Sequence, residues 1–173
     1  MKNQVLFPLA IGISDGIVTA LILSSGGILS NSITFMVAVR ISFGSAFAGM
    51  FSFFIAQFAG LNEELRRTAF QLNIRKVGYL MKGKLGRDIF YESVQGTLIA
   101  FACSFLGALV PLSSSIIFGS IVWVPFLVSY IFLSILGLFI SRTTKSSPIM
   151  WSAIMVGIGL AVTFAGYYLK IVV

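Results

Sequence analysis

Five separate stretches of this chain are each apolar for the ~20 residues that an α-helix needs to cross a lipid bilayer. They cover residues 5–27, 33–60, 93–112, 121–140 and 149–169. Hydrophobic residues make up 58% of the chain and charged residues 10%, whereas soluble domains have ~45–50% and ~25%. A water-soluble fold of 173 residues cannot hide this much apolar surface. The sequence therefore predicts an all-α membrane protein, with five transmembrane helices in a single domain (residues 1–173).

The basic residues predict how these helices are oriented. Residues 61–91 carry seven of the 12 lysines and arginines. In a five-span topology Lys2, Arg142 and Lys145 fall on the same side, so ten of the 12 are found there. Because basic loops stay in the cytoplasm, we predict a cytoplasmic N-terminus and an external C-terminus. The net charge of +7 then reflects topology and not nucleic-acid binding, and we expect a multi-pass protein of the cell membrane with the lipid bilayer as its main partner.

The basic stretch between the second and third spans has a helical pattern of its own. Phe70, Ile74, Val77 and Met81 follow one another at the spacing of one helix face. We interpret residues 61–91 as a cytoplasmic helical segment that extends the second span and continues as an amphipathic helix. A regulatory or partner-binding role is the alternative.

Small residues recur at every fourth position in three of the spans. Gly12 and Gly16 do so in the first span, Gly44 begins such a row in the second, and Gly157 belongs to one in the fifth. Small residues let membrane helices approach closely. The spacing fits packing within one chain and packing between two chains equally well.

Asp15 is the residue that points most directly to a function. It lies about ten residues into the first span, roughly 15 Å from the membrane surface. A charge at that depth costs on the order of 2.5–3.5 kcal/mol, so the carboxylate needs a proton, a cation or a polar cavity. We interpret Asp15 as a metal or proton site. An aspartate that is protonated or ion-paired, and only fixes helix packing, is the alternative.

Two partners for Asp15 stay open. Arg40 is the other charge within a span, and in an antiparallel neighbour it would lie about one helical turn, or ~5 Å, from the level of Asp15. An extended arginine can bridge that gap, and snorkelling of Arg40 to the outer interface is the alternative. Gln57 and Ser52 instead offer uncharged oxygens from the second span. Pro111 lacks an N–H group, so it frees a carbonyl in the third span and predicts a helix kink there.

Three of these stretches resemble the vacuolar iron transporter family. The run SDGIVT at Ser14–Thr19 resembles the Asp-Gly signature of that family's first helix, and FLGALVPL at Phe105–Leu112 is similar to its third-helix pattern. The last span, from Gly157 to Tyr167, and the five-span layout are similar too. The likeness covers most of the chain, although the motifs are short.

The resemblance implies a homodimer that exports ferrous iron or manganese from the cytosol in exchange for protons. It implies that Asp15 binds the metal, and it places the first span near the two-fold axis of the dimer, where Gly12 and Gly16 would pack. The family also uses a methionine and a glutamate of its second helix. In this chain Phe53 and Gln57 stand at those two positions.

Two functions therefore remain open at this stage. The first is a transporter of Fe²⁺ or Mn²⁺ with its site at Asp15, Gln57 and Ser52. The second is a membrane protein of the same fold that has lost transport and serves as an interaction module, as the Phe53 and Gln57 replacements favour. We do not predict an enzyme, since the chain has no histidine and no evident nucleophile–base pair. No cofactor is expected beyond the transported ion.

Overall fold

A computed structural model describes residues 2–29, 33–71, 83–118, 121–144 and 146–168. These residues form five helices: α1 (Lys2–Leu29), α2 (Phe35–Gln71), α3 (Lys84–Ile117), α4 (Val124–Thr144) and α5 (Pro148–Tyr168). Each contains a segment long and apolar enough to cross a membrane. The predicted all-α fold with five membrane-spanning helices is confirmed at this level.

The second and third helices are longer than the spans predicted from hydropathy. The 37 residues of α2 extend over ~55 Å, whereas the hydrocarbon core is ~30 Å thick. Residues 61–71 continue α2 and residues 84–91 begin α3. The predicted segment 61–91 is thus shared between two long helices, and its middle part, residues 72–82, lies outside the described residues.

The first helix lies at the centre of the bundle. It contacts each of the other four helices, most extensively α3. On one side Ile17 and Leu21 pack with Leu133 of α4 in an apolar cluster. On another side Ala20 packs with Ala108 of α3, in a second cluster that also includes α2 residues. A central α1 is consistent with its composition, because apolar and small residues occupy most of its length.

Glycines bring α1 and α3 into backbone contact. A Cβ at Gly12 would come within 2.5 Å of the Ala100 carbonyl oxygen, and one at Gly16 would overlap the Ser104 carbonyl group. The predicted packing role of Gly12 and Gly16 is confirmed, but within one protomer. Both glycines are buried against α3, so they are not available to a dimer interface, and they no longer support placing the first span on a two-fold axis.

Gly44 and Gly157 were predicted to pack in the same way, and here the structure differs. A Cβ at either position would meet nothing within 4 Å, and both glycines are exposed on the outside of the protomer. Small residues at every fourth position identify a helix face without bulky side chains, but they do not determine which neighbouring helix packs against that face.

Pro111 lies inside α3 and is fully buried. The helix does not end there, since it continues to Ile117.

Polar contacts join α4 to α5. The Tyr130 hydroxyl of α4 donates to Thr163 Oγ1 of α5 at 3.0 Å, and Ser152 Oγ of α5 donates to the Ser134 carbonyl of α4 at 3.1 Å.

Candidate functional site

A cavity of about 550 Å³ lies between α1 and α2. From α1 it is lined by Phe7, Ile11 and Asp15, which follow one another at intervals of four and so share one helix face. From α2 it is lined by a longer strip that runs toward the end of that helix: Gly49, Ser52, Phe53, Ala56, Gln57, Gly60, Leu61 and Glu64. The three site residues predicted from the sequence, Asp15, Ser52 and Gln57, all line this one cavity.

Asp15 lies at the inner end of the cavity. Its Oδ2 atom rests against Gly49, where any Cβ would overlap it. The Ser104 hydroxyl of α3 is 3.5 Å from the same Cβ position. Asp15 is half-buried, and no described residue hydrogen-bonds to its carboxylate or forms an ion pair with it. The carboxylate is therefore held in place by shape and left open to a ligand.

The ion pair considered between Asp15 and Arg40 does not form. Arg40 is exposed on α2, nine residues before Gly49, which is about 13 Å along the helix axis. An ion pair does form elsewhere on α2, where Arg67 contacts Glu63 at 2.8 Å. Asp15 and Gln57 line the same cavity, and the cation or proton site expected there stays a prediction.

Gln57 is fixed in a notch formed by Gly96 of α3. A Cβ at Gly96 would lie 2.5 Å from Gln57 Oε1 and 2.9 Å from its Nε2 atom. The Oε1 atom is buried and accepts no hydrogen bond in the described structure. Buried acceptors normally have a donor, so a turn of the amide toward the cavity, where Gln57 is a lining residue, would give this oxygen a ligand to bind.

Glu64 is a cavity residue that the sequence analysis missed. We had assigned it to the cytoplasmic basic segment, but it lines the outer end of the cavity, seven residues beyond Gln57 on the same helix face. Its neighbour Glu63 turns away and pairs with Arg67 on the exposed surface. The signal was present in the spacing of Gln57, Leu61 and Glu64, which follows a helical period.

The polar groups are arranged along the cavity and do not surround one point. From Gly49, which marks the level of Asp15, Gln57 lies about 12 Å along α2 and Glu64 about 22 Å. Within the described ranges, no three histidine, cysteine, aspartate or glutamate residues are grouped closely enough to hold a metal ion. Among the described residues, the lining of the cavity includes acidic side chains and no lysine or arginine. This arrangement suits a cation that moves from Glu64 past Gln57 to Asp15.

Phe53 lies between the levels of Gly49 and Gln57 along α2. It is 7% exposed and lines the cavity one turn from Gly49 and one turn from Gln57. Its aromatic ring adds apolar surface to the lining and offers no lone pair to a metal ion.

No family model, curated protein or solved structure matches the chain. The resemblance to the vacuolar iron transporters remains a prediction that rests on the short motifs around Asp15 and Pro111.

Proposed function

We propose that this protein is a membrane transporter of divalent cations, in which the cavity between α1 and α2 admits the ion and Asp15 binds it. One observation carries the proposal: the Asp15 carboxylate lies at the inner end of a cavity, half-buried, with no cationic side chain among the described residues beside it. A carboxylate inside a membrane helix without such a partner is typical of an ion or proton site. Its attraction for a cation is also stronger there than in water.

The donor atoms favour a hard cation as cargo. Asp15, Ser52 and Gln57 offer a carboxylate, a hydroxyl and an amide oxygen, and the part of the lining that the structure describes includes no cysteine or methionine. Carboxylate, carbonyl and water oxygens suit Mn²⁺ better than softer ions. With a single carboxylate at its inner end, the site takes an ion that keeps part of its water shell. Mn²⁺ is therefore the first cargo to test, followed by Fe²⁺, with proton exchange as the resemblance implies.

The second candidate function is an interaction module that has kept the fold without transport. Two observations favour it. Phe53 and Gln57 occupy the positions of the methionine and glutamate in the family that the chain resembles. In addition, Gly44 and Gly157 lie on open outer faces, where another membrane helix can approach closely.

Manganese uptake by proteoliposomes distinguishes the two functions. The chain is reconstituted with a metal-quenched dye inside the vesicles, and Asp15→Asn is compared with Arg40→Gln, which removes the charge that lies outside the cavity. We expect uptake by the wild type and Arg40→Gln, and uptake at the level of protein-free vesicles for Asp15→Asn. Absence of uptake by the wild type would favour the interaction module, and equal uptake by Asp15→Asn would refute the assigned site.

Orientation, membrane and assembly complete the proposal. We infer a cytoplasmic N-terminus and an external C-terminus in the cell membrane, which makes the Glu64 end of the cavity its cytoplasmic mouth. Single cysteines at positions 3 and 172, in a Cys103→Ala background, should then be labelled from opposite sides.

We also infer a homodimer that forms through the open helix faces at Gly44 or Gly157. Crosslinking in detergent should weaken when either glycine is replaced by leucine.

A further inference from the structure

The buried serines of the bundle differ in their hydrogen bonds. Five of the ten described ones donate to a carbonyl of their own helix, as Ser93 does to Ile89 at 2.8 Å and Ser129 does to Pro125 at 2.7 Å. This is the usual bond of a serine in a membrane helix. Four described serines are equally buried but have a hydroxyl without any partner: Ser25, Ser42, Ser45 and Ser104.

One of these four serines lies beside Asp15, and two more continue from that point along α2. The Ser104 hydroxyl is 3.5 Å from the Cβ position of Gly49, the same position that the Asp15 carboxylate overlaps. Ser45 and Ser42 precede Gly49 by four and seven residues on α2, so all three share one face of that helix. Their exposed fractions are 0% for Ser42, 1% for Ser45 and 1% for Ser104. Ser25 is separate, since it faces Gly166 of α5.

The register of α2 against α3 shows what lies across from this row. Gly49 contacts Ser104, and Gln57, eight residues later, contacts Gly96, eight residues earlier. Continued in the other direction, this antiparallel register places Ser45 level with Ala108 and Ser42 level with Pro111. Since Pro111 has no N–H group, it cannot donate to the Gly107 carbonyl, as a helix residue normally does.

We propose that water molecules occupy this interface, bridging the hydroxyls of Ser104, Ser45 and Ser42 and extending from Asp15 to the level of Pro111, where the apolar cluster around Ala38 and Leu112 begins. Three buried hydroxyls that are not bonded to one another or to their own helices need partners. Water provides both a donor and an acceptor in such a site. The row then continues the path on the far side of Asp15, and a chain of hydroxyls and waters conducts protons. This role in conduction rests on the proposed binding of the ion or proton at Asp15.

Hydrogen–deuterium exchange at single thiols tests for the water. Ser45→Cys and Ser42→Cys change little in shape, and Ala46→Cys and Ala38→Cys are controls on the same helix that are just as buried. All four are made in a Cys103→Ala background, checked for wild-type thermal unfolding, and followed by the infrared S–H band after transfer to D₂O. We expect the two serine-site thiols to exchange at least about tenfold faster than the controls, because the controls exchange only through local opening.

Equal exchange rates at all four positions would overturn the proposal.

A second measurement uses Ser45→Ala and Ser42→Ala with Ser129→Ala as the control, since Ser129 already bonds to its own helix. We expect proton flux into proteoliposomes to fall only in the first two variants, with Mn²⁺ binding retained. Slow exchange at the serine sites in a protein that transports Mn²⁺ would refute the water path alone. Fast exchange in a protein that does not bind Mn²⁺ would refute the proposed function alone.

Discussion

The two sides of α1 are built differently. Toward α3, Gly12 and Gly16 bring the two backbones into contact, so that even one added methyl group would meet main-chain atoms. Toward α2, the same stretch of α1 presents Ile11 and Asp15 to a cavity of about 550 Å³. Tight packing on one side fixes the position of the helix, and this allows an open, acidic space to persist on the other. The comparison indicates that the membrane carboxylate is held by its neighbours' shape and not by a counter-charge.

The largest loss of stability should come from a bulky side chain on the face of α1 that packs against α3. Gly16→Leu forces a side chain into the Ser104 backbone, which cannot give way, and over-packing of this kind costs about 3 kcal/mol. Gly60→Leu is the matched control, because nothing lies within 4 Å of that position and Gly60 is not one of the glycines proposed for the dimer interface. Thermal unfolding in detergent measures both. A stable Gly16→Leu variant would show that α1 and α3 are not in close contact.

A smaller effect, on Mn²⁺ affinity, should come from a substitution in α2 on the cavity side of α1. At Gly49 an added methyl group meets the movable end of Asp15 and no main-chain atom. Gly49→Ala should therefore displace the carboxylate while the helices keep their packing. We expect Mn²⁺ affinity to fall about tenfold, or ~1.4 kcal/mol, with thermal unfolding near that of the wild type. Gly60→Ala, at the open end of the same cavity, is the control. Unchanged affinity in Gly49→Ala would mean that Asp15 does not bind the ion from this position.

The smallest loss of stability should come from the contact between α4 and α5, which lies outside the two faces of α1 compared above. Tyr130→Phe removes the hydrogen bond to Thr163 that joins α4 to α5. Interhelical bonds of this type average ~0.6 kcal/mol in membranes, and we expect a loss of that size in unfolding free energy with Mn²⁺ uptake unchanged. A loss of uptake in this variant would show that the α4–α5 pair takes part in transport.

The sequence predicted the spans and the members of the site better than it predicted their neighbours. Hydropathy identified all five helices, because lipid requires about the same apolar length from each. Asp15, Gln57 and Ser52, which the sequence groups as one site, line the same cavity. The Arg40 pair was wrong because hydropathy does not fix where a helix starts relative to its neighbour. A helix that begins at Phe35 and approaches Asp15 at Gly49 places Arg40 about 13 Å away along its axis.

The helix faces were also beyond what the sequence determines. Gly12 and Gly44 belong to rows with the same period, yet one is buried under α3 and the other is open. Only the rotation of each helix about its axis separates the two cases, and that rotation is set by all its neighbours together. Glu64 was missed for a related reason. Its neighbours in the sequence are basic, and its position in the cavity depends on α2 continuing as a helix through residues 61–71.

Binding of Mn²⁺ to the purified protein tests the central claim most directly. The electron paramagnetic resonance signal of free Mn²⁺ is titrated with the wild type, with Asp15→Asn and with Glu63→Gln, which removes a carboxylate that is paired on the surface of α2. The account predicts saturable loss of the free-ion signal with the wild type and Glu63→Gln, and none with Asp15→Asn. Equal binding by the wild type and Asp15→Asn would contradict it.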